Sequence, residues 1–152
     1  MNSHEKFFKE DYIPALKKLT GNEKGNWGVL SPQGMVEHMT DSIAISHGRI
    51  KEALQTPVEM LERVRAFALS DKEFKPGTKN SLMSETPAPL RNSNIQEAIN
   101  ELENEVNLFL NYYAQNPEAT MLNPFFGEFN YNEWLTLLRK HAVHHLKQFN
   151  LA

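Results

Sequence analysis

The stretch E-W-L-T-L-L-R-K-H-A-V-H-H-L-K-Q-F, residues 133–149, combines a regular helical period with three of the chain's six histidines. Trp134, Leu138, His141, His145 and Phe149 step by four, three, four and four, a spacing that keeps side chains on one face of an α-helix. His141 and His145 therefore continue an apolar stripe and should point into a helical core, roughly 6 Å apart at Cβ. Two imidazoles at i and i+4 can both reach one metal ion. His144, turned about 100° from His145, is expected at the edge of the interface and in contact with solvent. Buried neutral imidazoles carry ring nitrogens that must be satisfied. One ion would satisfy both rings, and so would hydrogen bonds to neighbouring helices. On the spacing alone the hydrogen-bonded reading is preferred.

Working outward, Asn130 and Glu133 make a capping box that starts this last helix, which should run to about Phe149. The segment before it, from about Ser93 to Ala114, places Ile95, Ile99, Leu102, Val106, Phe109 and Tyr113 on one seam, and Asn116-Pro117 ends it. An earlier helix should start at the cap Ser31 with Pro32 in its first turn and run to about Leu54, with Met35, Met39, Ile43 and Ile50 apolar. A first helix is predicted over residues 4–20, kinked or restarted at Pro14 and followed by Gly21, Gly25 and Gly28. A short helix is expected in T-P-V-E-M-L-E-R-V (56–64), with Thr56 and Glu59 as a capping box. Residues 70–92, with Pro76, Gly77, Pro87 and Pro89, read as loop, as does the N-P-F-F-G turn at 123–127. No strand pair is visible. The predicted fold class is all-α: a single-domain four-helix bundle covering residues 1–152.

Composition narrows the function classes. The 152 residues include 16 Lys and Arg against 19 Asp and Glu, a net charge of −3, which argues against a nucleic-acid or anionic-membrane surface. There is no cysteine, so disulfides, thiolate metal sites, iron–sulfur clusters and cysteine nucleophiles are excluded and any metal must be held by nitrogen or oxygen. No apolar run has signal-peptide or membrane-span length, and a soluble, cytoplasmic protein is expected.

His38 adds a topological argument. It lies about seven residues into the second helix, whereas His141 and His145 lie near the end of the last. At about 1.5 Å rise per residue these positions are level only if the two helices are antiparallel. A simple up-down-up-down bundle would leave His38 on the order of 15–20 Å from the pair. Convergence needs up-down-down-up order with a long crossover between helices 2 and 3, and residues 55–92 supply one.

With these residues in place, the chain resembles the DinB/YfiT-like superfamily of metal-binding helical proteins. The resemblance is carried by L-S-P-Q-G-M-V-E-H-M (30–39), N-P-F-F-G (123–127) and the 133–149 segment. It implies an up-down-down-up bundle holding a divalent metal through His38, His141 and His145. Gln148 then serves behind the last ligand or structurally. Where relatives are expected to carry a histidine before the Pro-Phe-Phe-Gly turn, Asn123 stands here. Three imidazoles suit zinc or nickel, and iron or manganese as well, and they leave at least one position open. Some members of the superfamily are thiol S-transferases and others are described as hydrolases. The resemblance therefore implies a metal-dependent enzyme activating a water or a low-molecular-weight thiol on a small-molecule substrate, and the small size is compatible with a homodimer.

Other polar groups are weighed separately. Glu37 should point about 100° away from His38. Asp41 either orients the His38 ring or is solvated, and the solvated reading is taken. Glu101, Glu103 and Glu105 read as a wet face, Tyr112 and Tyr113 as core or as donors into a cavity. Phe125 and Phe126 should anchor their loop or wall a substrate pocket near the metal. His47 is expected to be exposed and His4 to be a flexible terminal residue. Two alternatives stand beside the enzyme: a non-catalytic bundle that binds a small ligand or protein partner, and a closed structural metal site, for which no fourth ligand is evident.

Overall fold

The computed structural model describes residues 2–75 and 88–152. The expected loop residues Pro76, Gly77 and Pro87 lie outside them. The chain is mostly helical with one small two-stranded sheet. Asn2 caps α1 (Ser3–Lys6), which passes through a wide π turn (Phe7–Asp11) into α2 (Tyr12–Leu16). In that turn the Tyr12 amide donates to the Phe7 carbonyl, five residues back. Pro14 has no N–H and its ring crowds the carbonyl one turn behind it, and the widened turn just ahead of it eases both problems. The helical path ends at Leu16 rather than at residue 20.

Ser31 accepts from the Gly34 amide (3.0 Å) to start α3 (Pro32–Ser46). This helix stops eight residues short of Leu54. Gly48 adopts φ +82°, a left-handed conformation that ends helices, and the Arg49 and Ile50 amides both turn back to the Ala44 carbonyl. Ile50 therefore lies beyond the helix instead of in its apolar stripe. A short 3-10 turn (Val58–Met60) leads into α4 (Leu61–Ala68). The expected Thr56–Glu59 capping box does not form, because the Thr56 hydroxyl donates instead to the Phe125 carbonyl (2.7 Å).

Asn94 caps α5 (Ile95–Gln115), whose seam residues Ile95, Ile99, Leu102, Val106, Phe109 and Tyr113 are all buried. The segment read as loop after it is an antiparallel hairpin of β1 (Thr120–Asn123) and β2 (Gly127–Asn130), with Met121 opposite Phe129. The all-α expectation is corrected to that extent. Four-residue strands are too short for a period of two to stand out. The Asn123 side chain makes the turn, accepting from the Phe125 and Phe126 amides (2.8 and 3.1 Å). The predicted capping box at Asn130 and Glu133 then starts α6 (Tyr131–Gln148).

Contacts fix the directions of the helices. Glu37 near the start of α3 meets Arg91 and Asn92 just ahead of α5, Arg91 bridges Asp41 to Glu101, and at the end of α3 Ser46 and His47 meet Tyr113 and Glu105, so α3 and α5 run the same way. Gly48 lies against Met121, just before α6 begins, while His38 meets His141 and His145 near its end, so α3 and α6 run oppositely. Phe8 packs on Phe109 and Gly21 on Ile95, which sets α1–α2 against α5. Trp134, Tyr12, Phe109, Met35, Met39, Ile43, Leu102 and Leu138 form the centre of the core. No helix among the described residues is long and apolar enough to cross a membrane.

Candidate metal centre

α3 and α6 bring His38, His141 and His145 together although 103 residues separate the first two. The His38 Nε2–His141 Nε2 distance is 3.2 Å and the His145 Nε2–His141 Nε2 distance 3.1 Å. Three nitrogens each about 2.05 Å from one ion at tetrahedral angles would lie about 3.3 Å apart. Two of the three separations match that value, and all three nitrogens lie within 4.8 Å of one another, so the group could hold one ion. Hydrogen bonding serves the cluster less well. A ring nitrogen carries either one hydrogen or one in-plane lone pair, so His141 Nε2 can make one well-directed bond and not two. Among the described residues, these three make up the group able to hold a metal.

The protonation state is set by the surroundings. Burial pushes the pKa of His38 down, and pushes His141 well below the usual imidazole range, with repulsion among the rings adding to the effect. His145 is lowered by burial to about 3. All three rings are neutral at physiological pH and keep lone pairs. For His145 the tautomer follows from Gln148. The Gln148 Nε2 donates to the Trp27 carbonyl (2.7 Å), so its Oε1 accepts, and the hydrogen it accepts is on His145 Nδ1 (2.8 Å). The His145 Nε2 lone pair is thereby aimed at the other two rings.

Gln148 is itself held by the 25–28 loop. The Asn26 amide donates to the Gln148 carbonyl (2.8 Å), and a Cβ at Gly28, where φ is +76°, would come within 3.0 Å of Gln148 Nε2. Glycine at this position lets the Trp27 carbonyl reach the amide. The residue that the resemblance placed behind the last ligand thus bonds to it directly.

Several expectations change. His144 is buried, between the Trp27 and Phe74 rings, with Nδ1 at 3.3 Å from the Phe74 carbonyl. The segment after α4 folds over it, which helical rotation alone could not show. His47 is not exposed: its Nε2 meets the buried Glu105 carboxylate at 2.6 Å, and Arg49 binds the same carboxylate. Glu105 accordingly leaves the wet face, where Glu103 stays. His4 is ordered in α1 beside Arg139. Asp41 is half exposed and pairs with Arg91, which also holds Glu101. The Tyr113 hydroxyl donates to the Ser46 carbonyl, and Tyr112 packs against Tyr113 and His47, so neither serves a cavity at the histidines. Phe126 stacks on Phe129 in the hairpin. That hairpin meets the end of α3, about 12 Å along the helix from His38. The wall beside the trio is Phe74, whose ring lies 6.1 Å from that of His141. Asn123, where a histidine was expected, is occupied by its turn.

Glu37 escapes the sequence pattern altogether. It is buried and accepts from the Arg91 and Asn92 amides, the Asn92 side chain and Gln33. No family model, curated protein or solved structure matches the chain.

Proposed function

We propose that the protein is a metal-dependent enzyme of the DinB-like type, with His38, His141 and His145 holding one divalent cation. In this reading α1–α2, α3, α5 and α6 constitute an up-down-down-up four-helix bundle, supported by the shared direction of α3 and α5 and the opposite direction of α6. The single observation that carries the proposal is the convergence of three neutral imidazoles through nitrogens 3.1 and 3.2 Å apart. An all-imidazole set favours zinc or nickel, with iron or manganese also suited.

A cation bound there supplies Lewis acidity, which lowers the pKa of a thiol or a water on a small-molecule substrate. The chain's residues do the rest. Gln148 fixes the His145 ring, and Phe74 packs against His141, shielding it from bulk solvent. A thiol S-transferase or a hydrolase follows, with the thiol of low molecular weight.

The test is metal analysis of protein purified without a histidine tag, compared with His38→Ala and His145→Ala. About one equivalent of metal in the parent and little in either variant is expected. Metal that persists in both, or is absent from the parent, would favour the hydrogen-bonded bundle. Metal-dependent conjugation of an electrophile to a small thiol marks the transferase, and ester or amide cleavage without thiol marks the hydrolase.

A further inference from the structure

A cavity of about 380 Å3 lies on the other side of His144 from the trio, between α6, the start of α1, Trp27 and the chain from Leu69 to Phe74. Its size falls within the usual range for small-ligand sites. Four cationic side chains line it against two carboxylates, and the Glu73 carboxylate is already bound by Lys147 (2.5 Å). Arg139 and Lys140 form no ion pair among the described residues, and both are held in place by other means. Lys140 Nζ donates to the Phe67 carbonyl (2.7 Å) and sits 4.7 Å from the centre of the Phe67 ring. Arg139 lies over the Phe7 ring at 5.2 Å. The Asp71 carboxylate, also in the lining, lies near enough to act on Lys140 but forms no ion pair with it.

The remaining walls are apolar. Trp27 and Phe74 flank His144, with ring centres 5.2 and 6.0 Å from its own, and Val143 and Leu69 continue the surface. Fixed cations beside aromatic walls make a site for a molecule with one charged end and one flat apolar end.

We propose that this cavity binds a small organic carboxylate, its apolar body against Trp27 and Phe74 and its carboxylate on Arg139 and Lys140. Planar, bidentate recognition by the Arg139 guanidinium favours a carboxylate, with Lys140 as a second, point-like charge. The inference stands on the cavity and not on the metal reading, so either can fail alone.

Calorimetric titration of the whole chain with 2-naphthoate, 2-naphthamide and 2-naphthylmethylammonium tests it. The naphthoate should bind about tenfold more tightly than the neutral amide, the worth of one charge-assisted hydrogen bond, and the ammonium should not bind. Arg139→Gln and Lys140→Gln should each weaken the naphthoate about tenfold, while His38→Ala leaves it unchanged. Equal binding of naphthoate and amide, or no binding of the naphthoate up to its solubility, overturns the proposal. So does tight binding by the double variant. If the variants fail to fold, the three-ligand comparison on the parent chain still decides.

Discussion

At the scale of single residues, Gln148 controls more than its own packing. It accepts from His145 Nδ1 and donates to the Trp27 carbonyl, so Gln148→Ala strands both groups. Metal affinity should fall about 10–100-fold by equilibrium competition with a chelator, as for other groups that orient a ligand from behind. Gln148→Glu separates the two bonds. It still accepts from His145 but cannot donate to Trp27, so affinity should survive while stability drops by about 1–3 kcal/mol. Affinity lost equally in both variants would show that packing rather than orientation matters. Tyr12 makes the opposite point. Its hydroxyl is fully buried without a hydrogen-bond partner among the described residues. Removing an unpaired hydroxyl restores a favourable apolar burial, so Tyr12→Phe should raise stability by about 1 kcal/mol in urea denaturation.

At the scale of elements, the pairing of α3 with α5 rests on side chains more than on sequence pattern. Glu37 ties α3 to the two residues just ahead of the α5 cap. Burial alone would raise its pKa, and the hydrogen bonds from Gln33, Asn92 and Arg91 outweigh that and hold it below the usual carboxylate range. The folded state thus prefers the ionised form. This contribution is complete above the unfolded value of about 4.5 and is lost as pH falls below it through the folded value. Urea midpoints for Glu37→Gln should lie below those of the parent at pH 7, and the gap should narrow toward pH 3. A gap that stays constant would mean that shape and not charge is at stake. The same pair of helices shows what periodicity can reveal. The seam of α5 and the His-bearing face of α6 are readable because apolar side chains repeat over many turns. Glu37, Glu105 and His47 are not readable, because a buried polar residue looks like a surface one until its partner is known. The α3 terminus was legible in principle at Gly48, whose left-handed backbone overrides an apolar pattern that continues to Ile50. The hairpin was not, since its strands are four residues each and its turn is organised by the Asn123 side chain.

At the scale of the whole molecule, helix direction and crossover length set the condition under which His38 could meet the α6 pair, and the resemblance supplied the expectation that it does. The sequence could not anticipate the cover over His144, because the segment after α4 has no period to follow. The connection from His47 to Asn94 is what lets α3 and α5 run the same way, and it also places Phe74 beside the trio. A ligand that binds only the folded state raises apparent stability by mass action. With free metal at about 100 times its dissociation constant, the gain is about 2.7 kcal/mol, or about 8 °C for a chain of this size. Adding a strong chelator should lower the melting temperature by that much in the parent and leave His38→Ala unmoved. The chain has no cysteine and cannot fasten itself covalently. A cation gripped by residues 38 and 141 would close a ring of 103 residues, and a permanent link of that length is worth about 4.7 kcal/mol through the denatured state. Such an ion would act as a removable clasp, tightening or releasing the whole molecule as metal supply rises and falls.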